Sequence, residues 1–110
     1  GPAVAMRKPT VACALLAAMI AKHRWGSPID RDALLRVAAV PRSDYPRART
    51  AFEELRTRRF ITNRGKRGIE LDSSHFGDLA EFLFRECGWD PTDIRTRLKH
   101  YEGWSNHDWA

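Results

Sequence analysis

The sequence predicts a mainly α-helical domain with one small β-hairpin, an α+β fold. Apolar residues recur at helical spacing in five segments, and the period changes to strand-like alternation around residues 60–72. A chain of 110 residues is long enough to bury a core without metals or crosslinks. We therefore expect one compact domain.

The first helix is predicted over residues 11–23, an apolar stretch broad enough to need cover on more than one side. Residues 1–5 resemble a tag remnant before a native Met6, so residues 1–9 are expected to be that remnant and an N-terminal arm. The charged start and apolar run also resemble a signal peptide. Thr10 as helix N-cap favours a domain helix instead, and the run is too short to span a membrane, so no membrane partner is expected.

The second and third helices are predicted on either side of a short break at residues 40–43. Asp30 is a suitable N-cap for a helix over residues 31–39. Asp44 or Ser43 is expected to cap the third helix, which runs to about Arg58. Its apolar stripe consists of Ala48, Ala51, Phe52 and Leu55.

A two-stranded hairpin follows, with strands at residues 60–63 and 68–72 around a basic turn at residues 64–67. Two further helices complete the pattern. Ser73 or Ser74 is expected to cap the fourth helix, residues 75–87, which Gly88 ends. Asp90 is expected to cap the fifth, whose stripe is Ile94, Leu98 and Tyr101.

The net charge of +5 is unevenly distributed. Residues 42–68 carry nine basic and three acidic side chains, whereas residues 69–110 carry four basic and nine acidic ones. A basic middle and an acidic end indicate two surfaces with different partners. The basic one suits a polyanion.

Three helices followed by a hairpin resemble the winged helix-turn-helix superfamily of DNA-binding proteins. The resemblance covers residues 10–72 and rests on element order; it is best over residues 29–71, where the helices and the Gly-bounded basic hairpin follow without spare residues. It implies a winged-helix domain with two additional C-terminal helices, residues 73–110, packed as part of the same compact domain. It also implies that the third helix lies in the major groove and the wing reaches a neighbouring minor groove or the backbone.

The expected partner is therefore double-stranded DNA, bound sequence-specifically by a small transcriptional regulator. On the third helix, Arg47 and Thr50 are the expected base readers. Phosphate contacts are assigned to four residues near its start and to the wing tip. These residues are Arg42, Ser43, Tyr45 and Arg49, with Arg64, Lys66 and Arg67 on the wing.

A second interpretation of the same residues is a solvated helix face, in which arginines pair with nearby glutamates. Glu53 and Glu54 would repel phosphates, which suggests that only the first half of the third helix enters the groove. The alternative function is a winged-helix module that binds protein, for instance a subunit of a replication or transcription assembly.

Seven of the eleven aromatic residues lie in the last 35 residues, and those on the fourth helix flank its stripe on both sides. Either the fifth helix wraps back over them or a second subunit docks there. A homodimer through Phe82, Phe84 and Trp104 is the expectation, and an ordinary monomer core is the alternative.

The signals for catalysis or cofactors are weak. Cys13 and Cys87 lie on apolar helical faces and are expected to be buried thiols of a cytoplasmic, nucleoid-associated protein. The four histidines lack metal-ligand spacing, although His100 and His107 are the pair to revisit if a metal were found. No nucleotide-binding or hydrolase motif is present in the sequence. We expect no enzyme activity, metal, cofactor or small-molecule ligand.

Overall fold

The structure, a computed structural model, describes residues 11–98. About 64% of these residues are helical, and two short strands form an antiparallel hairpin. The mainly α composition with one hairpin is therefore confirmed. The elements are α1 (Val11–Ala21), α2 (Arg31–Val37), α3 (Tyr45–Leu55), β1 (Ile61–Asn63), β2 (Ile69–Leu71), α4 (Phe76–Glu86) and α5 (Pro91–Arg97), with short 3₁₀ turns at Arg42–Asp44, Gly65–Arg67 and Ser73–His75.

Helix α1 lies at the centre of the fold and packs against α2, α3 and β2. Six of its eleven residues are buried, on more than one side, as its apolar composition predicts. The core continues through Leu34 and Leu35 of α2, Phe52 of α3 and Leu79 of α4. Helix α5 closes it through Ile94, which is completely buried.

Side-chain caps fix where several helices begin. Asp30 accepts a hydrogen bond from the Ala33 amide at 2.9 Å, and Asp90 accepts one from the Asp93 amide at 2.8 Å, both as predicted. The cap before α4 was predicted wrongly. Asp72, rather than Ser73 or Ser74, is the capping residue and accepts from the Ser74 amide. A hydrogen bond from the Ser74 hydroxyl, with a smaller contribution from the amide, lowers the pKa of the Asp72 carboxyl.

The expected cap of α3 is also absent. Asp44 makes no capping hydrogen bond to the α3 backbone, and the Ser43 side chain makes none either. Asp44 instead forms an ion pair with Arg47 at 3.1 Å, while Pro46 occupies the first turn, where a backbone N–H would lack a helical partner.

The hairpin is part of a larger hydrogen-bonded layer. Strands β1 and β2 pair in the register Ile61 with Leu71, Thr62 with Glu70 and Asn63 with Ile69. The segment 24–29, which connects the first two helices, lies on the other side of β2. Ile29 and Ile69 exchange two backbone hydrogen bonds, at 2.9 and 3.1 Å, and the Leu71 amide donates to the Arg24 carbonyl. Strand β2 is consequently buried along its whole length.

The two cysteines form a disulfide, so the prediction of free buried thiols is wrong. Cys13 lies in the first turn of α1 and Cys87 is the C-cap residue of α4, with their Cα atoms 5.6 Å apart. The sequence separation of 74 residues hid the pairing, because spacing alone does not reveal which side chains meet. The cysteines therefore no longer support a cytoplasmic location. No helix within residues 11–98 is long and apolar enough to cross a membrane.

Candidate nucleic-acid interface

Helix α3 has one buried side and one exposed side. Ala48, Ala51, Phe52 and Leu55 are buried, which confirms the predicted stripe. The opposite side leaves Arg47, Arg49, Thr50, Glu53 and Glu54 exposed to solvent, and Thr57, just beyond the end of the helix, is exposed as well. An exposed helix face of this kind can contact another molecule without any change in the fold.

The two expected base readers are exposed and lightly engaged. Arg47 donates from Nη2 to Asp44, and its side chain is 79% exposed. Thr50 donates from Oγ1 to the Pro46 carbonyl at 3.2 Å. An exposed ion pair contributes little to stability, so the Arg47 guanidinium is available to exchange Asp44 for another acceptor.

The expected phosphate contacts at the start of α3 lie together. Arg42, Tyr45 and Arg49 line one surface depression, and the Arg49 guanidinium carbon lies 5.7 Å from the centre of the Tyr45 ring. Ser43 is exposed in the same 3₁₀ turn as Arg42. Arg36, from the last turn of α2, lines the same depression and was not predicted as a site residue.

One of the two glutamates on α3 is engaged by a cation. Glu53 accepts from Arg56 Nε at 2.9 Å, while Glu54 has no side-chain partner among residues 11–98. Both lie in the second half of the helix. The exposed face of α3 is therefore positively charged in its first half, which carries Arg47 and Arg49, and negatively charged in its second half.

The hairpin tip, residues 64–67, carries three cations in two different situations. Arg64 donates from Nη2 to Glu70 at 2.9 Å, and this bond raises the pKa of the Arg64 guanidinium. Glu70 is the buried partner, with its side chain only 6% exposed. Lys66 and Arg67 are exposed, and their side chains contact no acceptor within the described part of the chain. Arg64 therefore contributes to the fold, whereas Lys66 and Arg67 are free to bind a ligand.

Arg56 joins the hairpin to α3, a role the sequence did not reveal. Its Nη1 donates to Asn63 Oδ1 at 2.6 Å and to the Gly65 carbonyl at 3.0 Å, while its guanidinium lies over the Phe52 ring. The sequence suggested only a pair with a nearby glutamate, which Glu53 provides. Arg56, the residue after the end of α3, therefore links that helix to the hairpin tip.

The expected dimer residues on α4 are partly covered within the monomer. The Phe82 ring packs against Phe60, with centroids 5.3 Å apart, and the Arg58 guanidinium carbon lies 5.0 Å from the centre of the Phe82 ring. Phe84 is half-buried against the core. Trp104 lies outside the described residues. Within residues 11–98, Val37 on α2 is the one large apolar side chain that is exposed to solvent.

A serine, a histidine and an aspartate meet at the start of α4, but their geometry serves capping. Ser74 Oγ lies 2.6 Å from Asp72 and 3.1 Å from His75 Nδ1. Asp72 contacts the same Nδ1 atom at 3.0 Å. A proton relay needs the serine and the carboxylate on opposite ring nitrogens. Among residues 11–98 no group of three histidine, cysteine or acidic side chains is arranged to hold a metal ion; His100 and His107 lie outside that range.

Comparisons with protein-family models, curated proteins and solved structures give no match for this chain. The functional argument therefore rests on the geometry of the α3 face and the hairpin.

Proposed function

We propose that this protein is a winged-helix protein that binds double-stranded DNA in a sequence-specific manner. In this arrangement the first half of α3 enters the major groove, and the tip of the β1–β2 wing contacts the backbone or a neighbouring minor groove. The observation that carries the proposal is the pair of exposed cationic surfaces on α3 and the wing, held to each other by Arg56.

Within that arrangement Arg47 and Thr50 read base edges. A guanidinium can donate two parallel hydrogen bonds to guanine, whereas a hydroxyl makes a single weaker contact. Arg42, Ser43, Tyr45 and Arg49 lie toward the start of the helix, where they would follow the phosphate backbone. Lys66 and Arg67 supply the wing contacts, and Arg64 adds its charge next to Glu70.

The charge distribution supports the same orientation. The basic residues 42–68 include both proposed DNA-binding elements, while the acidic residues 69–110 include α4 and α5. Helix α4 carries Asp78, Glu81 and Glu86 against Arg85, and repulsion would turn this acidic helix away from DNA. A homodimeric transcriptional regulator associated with the nucleoid is the role that we propose for such a molecule.

The proposal is tested by fluorescence anisotropy on a duplex selected from a random pool and on a scrambled duplex, at several salt concentrations. Lys66→Ala and Arg67→Ala are expected to weaken binding to both duplexes and to lower the salt slope by roughly one for each lost phosphate contact. Arg47→Ala is expected to cost about 1–3 kcal/mol, mainly on the selected duplex.

Lys22→Ala is the matched control, because Lys22 is an exposed cation just after the end of α1 and belongs neither to α3 nor to the hairpin. Its affinity and salt slope should match the wild type. If the wing variants behave like this control, the wing does not contact DNA. A protein partner then becomes the better proposal for this surface.

A further inference from the structure

The depression between α2 and α3 brings together three arginines from three separate elements. Arg36 comes from the last turn of α2, Arg42 from the 3₁₀ turn and Arg49 from the second turn of α3. Its volume is about 630 Å³, and Asp32, Tyr45 and Pro46 complete the lining.

These arginines lack acidic partners. Arg36 and Arg42 contact no acceptor within residues 11–98, and Arg49 contacts only the face of the Tyr45 ring. Asp32 is the sole acid in the lining, and Arg31 lies 3.5 Å from its carboxylate. The depression is therefore strongly positive, and the arginines repel one another until an anion lies between them.

The chemistry of the lining selects the class of anion. Guanidinium groups match phosphate oxygens with paired hydrogen bonds, and a tyrosine hydroxyl donates one more. The half-buried Tyr45 ring gives Arg49 a surface to lie on, which limits the conformations that it loses on binding.

We propose that the cleft formed by Arg36, Arg42 and Arg49 is a phosphate-binding site, and that Arg36 is an essential part of it. The site deepens the proposed function, since the phosphate would be a phosphodiester of the DNA strand beside α3. Only the assignment of the phosphate to DNA rests on the proposed function, because a free polyphosphate would bind the same cleft by the same chemistry.

The experiment records amide and arginine side-chain NMR spectra of the full chain during titration with inorganic pyrophosphate and, separately, with the selected duplex. Both ligands are expected to shift the signals of the three cleft arginines, and the duplex should displace pyrophosphate from them. Arg36→Gln is expected to weaken duplex binding about five- to twentyfold and to lower the salt slope by about 0.9.

Lys22→Gln removes one exposed positive charge elsewhere and should leave both titrations unchanged. Unchanged cleft signals, together with wild-type duplex affinity for Arg36→Gln, overturn the phosphate site while the α3 and wing signals still report on DNA binding. Conversely, pyrophosphate shifts at the cleft without any response to duplex support the site and overturn the proposed DNA function.

Discussion

Gly68 is the residue on which the position of the wing most directly depends. Its φ is +104°, and a Cβ built on it would lie 1.9 Å from the Ile29 carbonyl oxygen. The absence of a side chain is what allows the wing backbone to reach the segment 24–29 and exchange hydrogen bonds with it.

Gly68→Ala is therefore expected to lower the free energy of unfolding by more than about 3 kcal/mol, since a backbone overlap adds to the unfavourable φ. Gly65→Ala is the matched control in the same turn, with φ +63° and nothing within 4 Å of its added Cβ. It should cost about 1 kcal/mol. Urea denaturation of both variants measures the difference, and equal losses would contradict the close approach to Ile29.

Buried charge explains why the residue-scale prediction for the wing was incomplete. The sequence shows Arg64, Lys66 and Arg67 as equivalent cations on one turn. The structure separates them, because Glu70 is buried and its charge must be paired. Nothing in the alternation of residues 68–72 shows that Glu70 lies inside, since that follows from its cover by neighbouring elements.

At the scale of elements, hydrophobic periodicity and turn residues predicted each helix and strand of the described chain. In α1 to α4 and the two strands, the boundaries that differ lie one to three residues further in, as at α3, which was expected to run to Arg58 but ends at Leu55. The third member of the sheet layer escaped prediction because segment 24–29 contains Gly26, Ser27 and Pro28, which are typical of a loop. Its pairing is set by the tertiary approach of Ile29 to Ile69.

The disulfide is the second feature that the sequence pattern did not predict. It joins α1 to the end of α4, which are distant in sequence. A crosslink spanning 74 residues removes much conformational freedom from the unfolded chain, which corresponds to about 2–4 kcal/mol of stability. We expect dithiothreitol to lower the free energy of unfolding of the wild type by that amount.

The double variant Cys13→Ala with Cys87→Ala is the control, because it should show the lower stability with or without reductant. A thiol titration confirms that reduction has occurred in the wild type. An unchanged urea midpoint in fully reduced wild type would contradict a stabilising crosslink between α1 and α4.

For the whole molecule, the sequence predicts a homodimer formed through aromatic residues of the acidic segment 69–110. Phe82 is half-buried and contacts both Phe60 and Arg58, so the described part of α4 offers less exposed aromatic surface than its sequence suggested. Homodimerisation stays a prediction: sedimentation at high micromolar concentration should give a dimer that Phe82→Ala with Trp104→Ala weakens. A wild type that sediments as a monomer would contradict it; Phe76→Ala, half-buried beside Trp25, is the control for aromatic loss alone.

The bond between Cys13 and Cys87 also makes most of the polypeptide a closed loop with two tails. The wing tip, with exposed Lys66 and Arg67, lies on that loop. If the peptide backbone is cut once at the hairpin tip, the disulfide still joins the two pieces. Helices α1 to α3 then remain covalently attached to α4 and α5. The exposed tip of the hairpin is thus also a place where the backbone can be cut without the two pieces of the chain separating.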